Sequence, residues 1–244
     1  MHSFARPAAA AVIGASEGIG GALVEVLSRS GSFEKVFTFA RHPGKATIDH
    51  VVPGHLDLAD EASIMRAAMA TQGALPLRLV MVATGMLHEE GLQPEKSFKM
   101  LEADHFARAF AINATGPAMV AKHFLPRLPR QGRSAFAALS ARVGSISDNQ
   151  LGGWYAYRAS KAALNMLIRS LSIELARTHP DAVCVGLHPG TVDSRLSQPF
   201  QAGVPAGKLF KPADAAALLL AVVDGLAPAR SGGCFAWDGS QIPP

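Results

Sequence analysis

The stretch Ala9-Ala10-Ala11-Val12-Ile13-Gly14-Ala15-Ser16-Glu17-Gly18-Ile19-Gly20 opens on an apolar run and breaks into a turn punctuated by glycine. Leu23, Val24 and Leu27 follow at helical spacing, so the segment predicts a strand, a glycine-rich turn and a helix. Gly14, Gly18 and Gly20 let the backbone of such a turn, with Ser16 and Ile19 between them, come close to a bound group. A pyrophosphate suits that place, because the amide groups and the positive dipole end of the helix point at it. Tight strand-to-helix turns also use glycine with nothing bound, so the position after the first strand is what gives the motif weight.

Working outward, the same alternation repeats. Val36 to Ala40 predicts a second strand, and Arg41 stands just beyond it. An acid there would accept hydrogen bonds from a ribose 2′-hydroxyl, whereas a guanidinium suits a 2′-phosphate. Arg41 therefore favours NADP(H) over NAD(H), the alternative being a solvated arginine that starts a loop. The apolar run from Val51 to Leu58 predicts a third strand containing Asp57, which either accepts from an adenine amino group or caps the helix of Glu61 to Met69. Leu77 to Ala83 is the fourth strand, closed by Thr84-Gly85, and an apolar helical pattern runs from about Ala103 to Leu128. Asn113 interrupts it just before Gly116-Pro117, marking a kink or a held water. Strands at Ala135 to Ser140, Val183 to Leu187 and Gly233 to Trp237, with helices at Tyr155 to Thr178 and Pro212 to Val223, complete the pattern. The expected fold is α/β: one domain spanning residues 1 to 244, a doubly wound parallel sheet of about seven strands with helices on both faces. The segment 193–211, with Pro, Gly and Gln between Gln198 and Gly207, has the length of a lid over a substrate, or of a surface insertion.

Chemistry concentrates in the helix that begins Trp154-Tyr155-Ala156-Tyr157-Arg158-Ala159-Ser160-Lys161. Tyr157 and Lys161, four residues apart, share one helical face. There a cation can favour phenolate and lower a phenol pKa that starts near ~10, making the tyrosine a general acid or base. Of the two tyrosines in the chain, Tyr155 has Ala159 at the matching position, so Tyr157 is the candidate.

At 49% hydrophobic and 17% charged residues the chain is not expected to be disordered. The net charge of +4 comes from scattered Lys and Arg with no run that would form a nucleic-acid footprint. Cys184 and Cys234 lie in separate apolar runs without metal or disulfide spacing, so reduced core residues and no metal are expected. Ala8 to Ile13 is too short for a signal segment and no apolar stretch reaches 18 residues, which excludes a membrane partner and predicts a cytoplasmic location.

In order and spacing, Gly14-x3-Gly18-x-Gly20, Asp57-Leu58, Asn113, Tyr157/Lys161 and Pro189-Gly190 resemble the short-chain dehydrogenase/reductase family, over nearly the whole chain. Pro94-Glu95-Lys96-Ser97, the run Gly152 to Arg158 and Asp238-Gly239-Ser240 are most similar to its C-factor-like and sniffer-like carbonyl reductase branch. The resemblance implies a Rossmann-type fold and an NADP(H)-dependent oxidoreductase acting on a small carbonyl/alcohol pair. Tyr157 would be proton donor, Lys161 would lower its pKa and hold the nicotinamide ribose, and Asn113 would bind a water leading to Lys161. Leu58, Ala83, Gly85, Pro189 and Gly190 would face the cofactor, and Val192 and Ser194 the carboxamide. Family members are often homodimers or homotetramers. Three positions depart from the family's pattern: Ile13 replaces a threonine, Val82-Ala83-Thr84-Gly85 replaces Asn-Asn-Ala-Gly, and Ala141 stands where the substrate-orienting serine is usual. Ser140 and Ser145 are the nearest hydroxyls, with Ser140 the candidate by proximity. With that serine missing, a dinucleotide-binding signalling or regulatory protein with little turnover is the alternative.

Overall fold

The computed structural model describes residues 1–45, 48–205 and 207–244. Its elements run β1 (Ala9–Ile13), α1 (Gly18–Arg29), β2 (Lys35–Ala40), β3 (Val51–His55), α2 (Glu61–Ala70), β4 (Leu77–Val82), α3 (Ala103–Phe110), α4 (Gly116–Phe124), β5 (Ser134–Leu139), α5 (Tyr155–Ala176), β6 (Ala182–His188), β7 (Thr191–Val192), β8 (Leu209–Phe210), α6 (Pro212–Gly225), β9 (Cys234–Ala236) and β10 (Gln241–Ile242). The main sheet has the order β10-β9-β6-β5-β4-β1-β2-β3. Every neighbouring pair is parallel except β9 and β10. The chain order reverses between β1 and β4, which opens a crevice at the carboxyl ends of these strands.

Alternation along the strands sorts the core into two layers. Ala9, Ala11 and Ile13 of β1, Val80 and Val82 of β4, and Phe136 and Ala138 of β5 pack against α2, α4 and α5. Ala10 and Val12, Leu79 and Met81, and Ala135 and Ala137 pack against α1 and α6 on the other face. Both faces of these parallel strands are therefore buried, which is why they read as continuous apolar runs.

Four boundaries differ from the sequence expectation. First, β3 stops at His55, before Asp57, and pairs only with β2, the edge position that tolerates Pro53. Asp57 does not cap α2. Its Oδ1 accepts from the Ala59 amide at 2.9 Å, and the cap is Asp60, accepting from Ala62 at 3.0 Å. Second, the long helix is broken at Asn113 by a π turn, Ala111–Thr115, in which the Gly116 amide bonds the Ala111 carbonyl. Pro117 has no N–H to return to the Asn113 carbonyl, so a wider turn is the local solution. Third, β10 adds an eighth, antiparallel strand of two residues. Fourth, the segment expected as a loop is partly ordered: β7 and β8 pair at its base, and Gln198–Gly203 forms a 3-10 turn. Among the described residues no helix is long and apolar enough to cross a membrane.

Candidate active site

The crevice consists of two adjoining cavities of about 640 and 340 Å³. The larger is lined by Gly14, Ser16, Arg41, Asp57, Leu58, Ala83 and Gly85. The smaller is lined by Gly18, Ile19, Gly85, Ser140, Tyr157, Lys161, Pro189 and Ser194. Most of the residues singled out from the sequence are thus gathered in one place. Gly14 adopts φ 84°, and a Cβ on Gly20 would lie 1.9 Å from the Gly14 carbonyl oxygen, so this turn can close against α1 only with glycine at both positions. Four residues do not line the cavities. Gly20 forms that contact, and Asn113 is fully buried. Val192 is buried and its carbonyl accepts from Ser197 Oγ. Gly190 lies beneath Phe210 and Trp237, where a side chain would meet the Phe210 ring at 2.7 Å.

Beside the carboxylates of Glu17, Asp57, Glu89 and Glu90, the lining offers several hydrogen-bond donors. Among the described residues no side chain caps the N-terminus of α1, leaving its first amides unpaired within the helix. Thr84 Oγ1, at the junction of the two cavities, is buried with no hydrogen-bond partner among the described residues. Arg41 is exposed on the rim of the larger cavity. An elongated anionic ligand with hydroxyl groups, as a nicotinamide dinucleotide is, fits this lining.

Tyr157 and Lys161 meet on the wall of the smaller cavity, the Lys161 Nζ lying 5.8 Å from the phenol ring centroid. Lys161 is only 2% exposed and donates to the Leu139 carbonyl at 2.8 Å, an acceptor offered by the end of β5. Burial pulls the Lys161 ammonium down to about 8 and pushes the Tyr157 phenol up to about 12. The direction for Tyr157 is opposite to the lowering expected from its spacing to Lys161, because desolvation of the phenolate outweighs a cation already engaged by a carbonyl. Asn113 ties the wall to the floor. Its Nδ2 donates to the Met86 carbonyl at 2.8 Å and to Ser160 Oγ at 3.1 Å, while Oδ1 accepts from the Met86 amide at 2.8 Å. Ser160 Oγ donates in turn to the Tyr157 carbonyl at 2.8 Å. Both amide protons of Asn113 are therefore committed to protein, and the residue pins the segment after β4 to α5.

Residues 8–204 match the family model described as short chain dehydrogenase. The chain belongs to the short-chain dehydrogenase family. It is 42% identical to the C-signal protein of Myxococcus xanthus over 138 residues, covering 56% of this chain and 77% of that one. An oxidoreductase of Schizosaccharomyces pombe is 28% identical over 95% of this chain and 96% of its own. Among solved structures the fold is similar to carbonyl reductase Sniffer of D. melanogaster, with a TM-score of 0.84 at 22% identity over 98% of this chain and 100% of that one. The NADPH-bound carbonyl reductase from chicken fatty liver gives a TM-score of 0.83 at 25% identity, with the same coverage.

Within this short-chain dehydrogenase the hydroxyls nearest Ala141 are both engaged by other groups. Ser140 continues the alternation of Phe136 and Ala138 toward α5, and its Oγ donates to Asn165 Oδ1 at 2.6 Å. Ser145 is buried and binds the turn that follows, accepting from the Asp148 amide at 3.1 Å and donating to the Pro244 carbonyl at 3.3 Å. The proton of each serine is already given to another acceptor, and Ala141 between them has none to give. Sequence reasoning did not find Thr84 or Ser160 as parts of the site, since nothing in their spacing separates them from ordinary polar residues.

Proposed function

We propose that the protein is an NADP(H)-dependent oxidoreductase interconverting a carbonyl and an alcohol, with Tyr157 as general acid and base. The observation that carries this reading is the meeting of Tyr157 and Lys161 on the wall of the cavity that also holds the glycine turn. Gly14, Ser16, Gly18 and Ile19 would hold the pyrophosphate, Arg41 the 2′-phosphate, Asp57, Leu58, Ala83 and Gly85 the adenosine side, and Pro189 and Ser194 the nicotinamide end. When bound there, the cofactor supplies the hydride. Tyr157, protonated at neutral pH as a phenol ordinarily is and kept so by burial, gives its proton to the carbonyl oxygen as negative charge develops on that atom. The Lys161 ammonium, held in place by the Leu139 carbonyl, offsets the charge left on the phenol. The segment 193–211 acts as the lid, bringing Leu196 to both cavities and Phe200 against Trp154 with ring centroids 5.1 Å apart.

Oxidation of NADPH in the presence of a panel of aldehydes and ketones tests this directly. Tyr157→Phe should lower turnover by ~10² or more, the scale of a lost general acid, with NADPH affinity unchanged. A larger loss in Tyr155→Phe would refute the assignment. A second reading draws on Ala141 and on the likeness to C-signal: a dinucleotide-binding signalling protein with little turnover. Tight NADPH binding without hydride transfer to any carbonyl of the panel would favour it.

A further inference from the structure

Just before α5 the backbone passes through three consecutive left-handed residues, Gly152 at φ 64°, Gly153 at φ 66° and Trp154 at φ 51°. Glycine adopts this conformation freely, whereas tryptophan is held there only where its surroundings over-determine it. Trp154 also occupies the N-cap position of α5, where a serine, threonine or aspartate normally satisfies the first amides, and it offers no capping bond. The indole has another place: its ring lies edge-on to Tyr157 at 6.3 Å and to Phe200 at 5.1 Å. The helix that carries the proton donor thus begins on a strained residue without a cap of its own.

Glu95 supplies what is missing. Its carbonyl accepts from the Trp154 amide at 2.5 Å, and its Oε2 accepts from the Ala156 amide at 3.2 Å, across 61 residues of chain. Glu95 is 2% exposed, and among the described residues it is the one carboxylate so deeply buried. None of the ion pairs among those residues includes it. A buried carboxylate without a cation is costly, and here it faces the positive end of α5. Arg158 helps from the other side, donating from Nε to the Gly153 carbonyl at 3.0 Å and from Nη1 to the Val143 carbonyl at 3.3 Å.

We propose that Glu95 is a positioning residue: it caps α5 from the far side of the site, which frees the N-cap position for the Trp154 indole and fixes Tyr157 within the first turn. Its effect on turnover rests on the reading of Tyr157 as proton donor, while its hold on the turn does not. Three variants of the full chain separate the possibilities. Glu95→Gln keeps an acceptor at the same reach, Glu95→Asp keeps the charge but falls one methylene short, and Glu95→Ala removes both. Hydrogen exchange of peptides covering residues 154–160 should accelerate about tenfold in Glu95→Asp and Glu95→Ala and stay near wild type in Glu95→Gln. Turnover should fall about tenfold in the same two variants, with the NADPH dissociation constant within about twofold of wild type, because misplacing the reacting group affects chemistry more than cofactor binding. If Glu95→Ala does not fold, the Gln and Asp pair carries the test.

Wild-type exchange in Glu95→Asp would overturn the proposal. So would faster exchange with unchanged turnover in an active enzyme, which would leave Glu95 a stabilising cap only, and so would Glu95→Gln as impaired as Glu95→Asp, which would show that a neutral acceptor at the same reach does not do the work of the carboxylate. A wild-type protein that reduces no carbonyl would refute the oxidoreductase reading by itself, and the exchange measurement would still decide whether Glu95 holds the turn.

Discussion

Lys161→Met should make the protein inactive and more stable at neutral pH. The ammonium is buried, and burial lowers it from 10.5 to about 8. At about 1.4 kcal/mol for each factor of ten in an acidity constant, keeping this group charged in the fold costs about 3 kcal/mol. Methionine has similar length and no charge, but it leaves the Leu139 carbonyl without its donor at 2.8 Å. That loss costs about 1 to 2 kcal/mol, so the variant should gain about 1 to 2 kcal/mol at pH 7. The sign with pH follows from the two states. Between about 8 and 10.5 the unfolded chain carries the Lys161 proton and the folded chain does not, so wild-type stability rises with pH relative to the variant. Urea denaturation of both proteins at pH 7 and at about pH 9.5 should show the advantage of Lys161→Met shrinking by about 2 kcal/mol. A variant less stable than wild type at pH 7, or an advantage that does not change with pH, would refute the claim that this lysine is retained against the stability of the fold.

Other expectations follow from the same site. Wild type should bind NADPH more tightly than NADH, and Arg41→Asp should reverse that order in fluorescence titrations. Equal affinities in the wild type would remove Arg41 as the selector. Because the Ser140 hydroxyl is given to Asn165, Ser140→Ala should cost about 1 kcal/mol of stability and leave turnover intact, whereas Ala141→Ser should raise turnover; a loss of turnover in Ser140→Ala would return the substrate role to Ser140. His188 is held down at about 4, chiefly by burial and then by Arg142, below its ordinary 6.5. Between those values the unfolded chain gains a proton that the fold refuses, so stability should fall by about 3 kcal/mol as the pH drops through the window, and His188→Leu should flatten that part of the profile.

What could be read from the sequence was what depends on near neighbours. The unbroken apolar runs of Ala9 to Ile13 and of Leu79 to Val82 express burial on both faces, so the parallel sheet was legible strand by strand. The Tyr157/Lys161 pair was legible because one helical turn fixes their separation whatever else the chain does. Asn113 and Pro117 marked a break in the long helix, but the same residues permit a kink or a π turn, and the choice depends on Met86 and Ser160, which Asn113 binds from other segments. β10 was not legible, since two residues, Gln241 and Ile242, carry no period.

The acidity of Tyr157 was misread for a related reason. Spacing places a cation near the phenol, but it does not say that β5 ends with the Leu139 carbonyl aimed at that cation, nor how much water the cavity wall excludes. Glu95 was the least legible of all. The sequence shows Trp154 at the start of a helix where a short polar cap is favoured, and read locally that is a poor helix start. It becomes intelligible only once the acceptor for the Ala156 amide is seen to come from across 61 residues. A violated local preference next to Tyr157 is therefore the trace that a distant side chain leaves in the sequence: the indole stands where the cap should be because the cap is elsewhere.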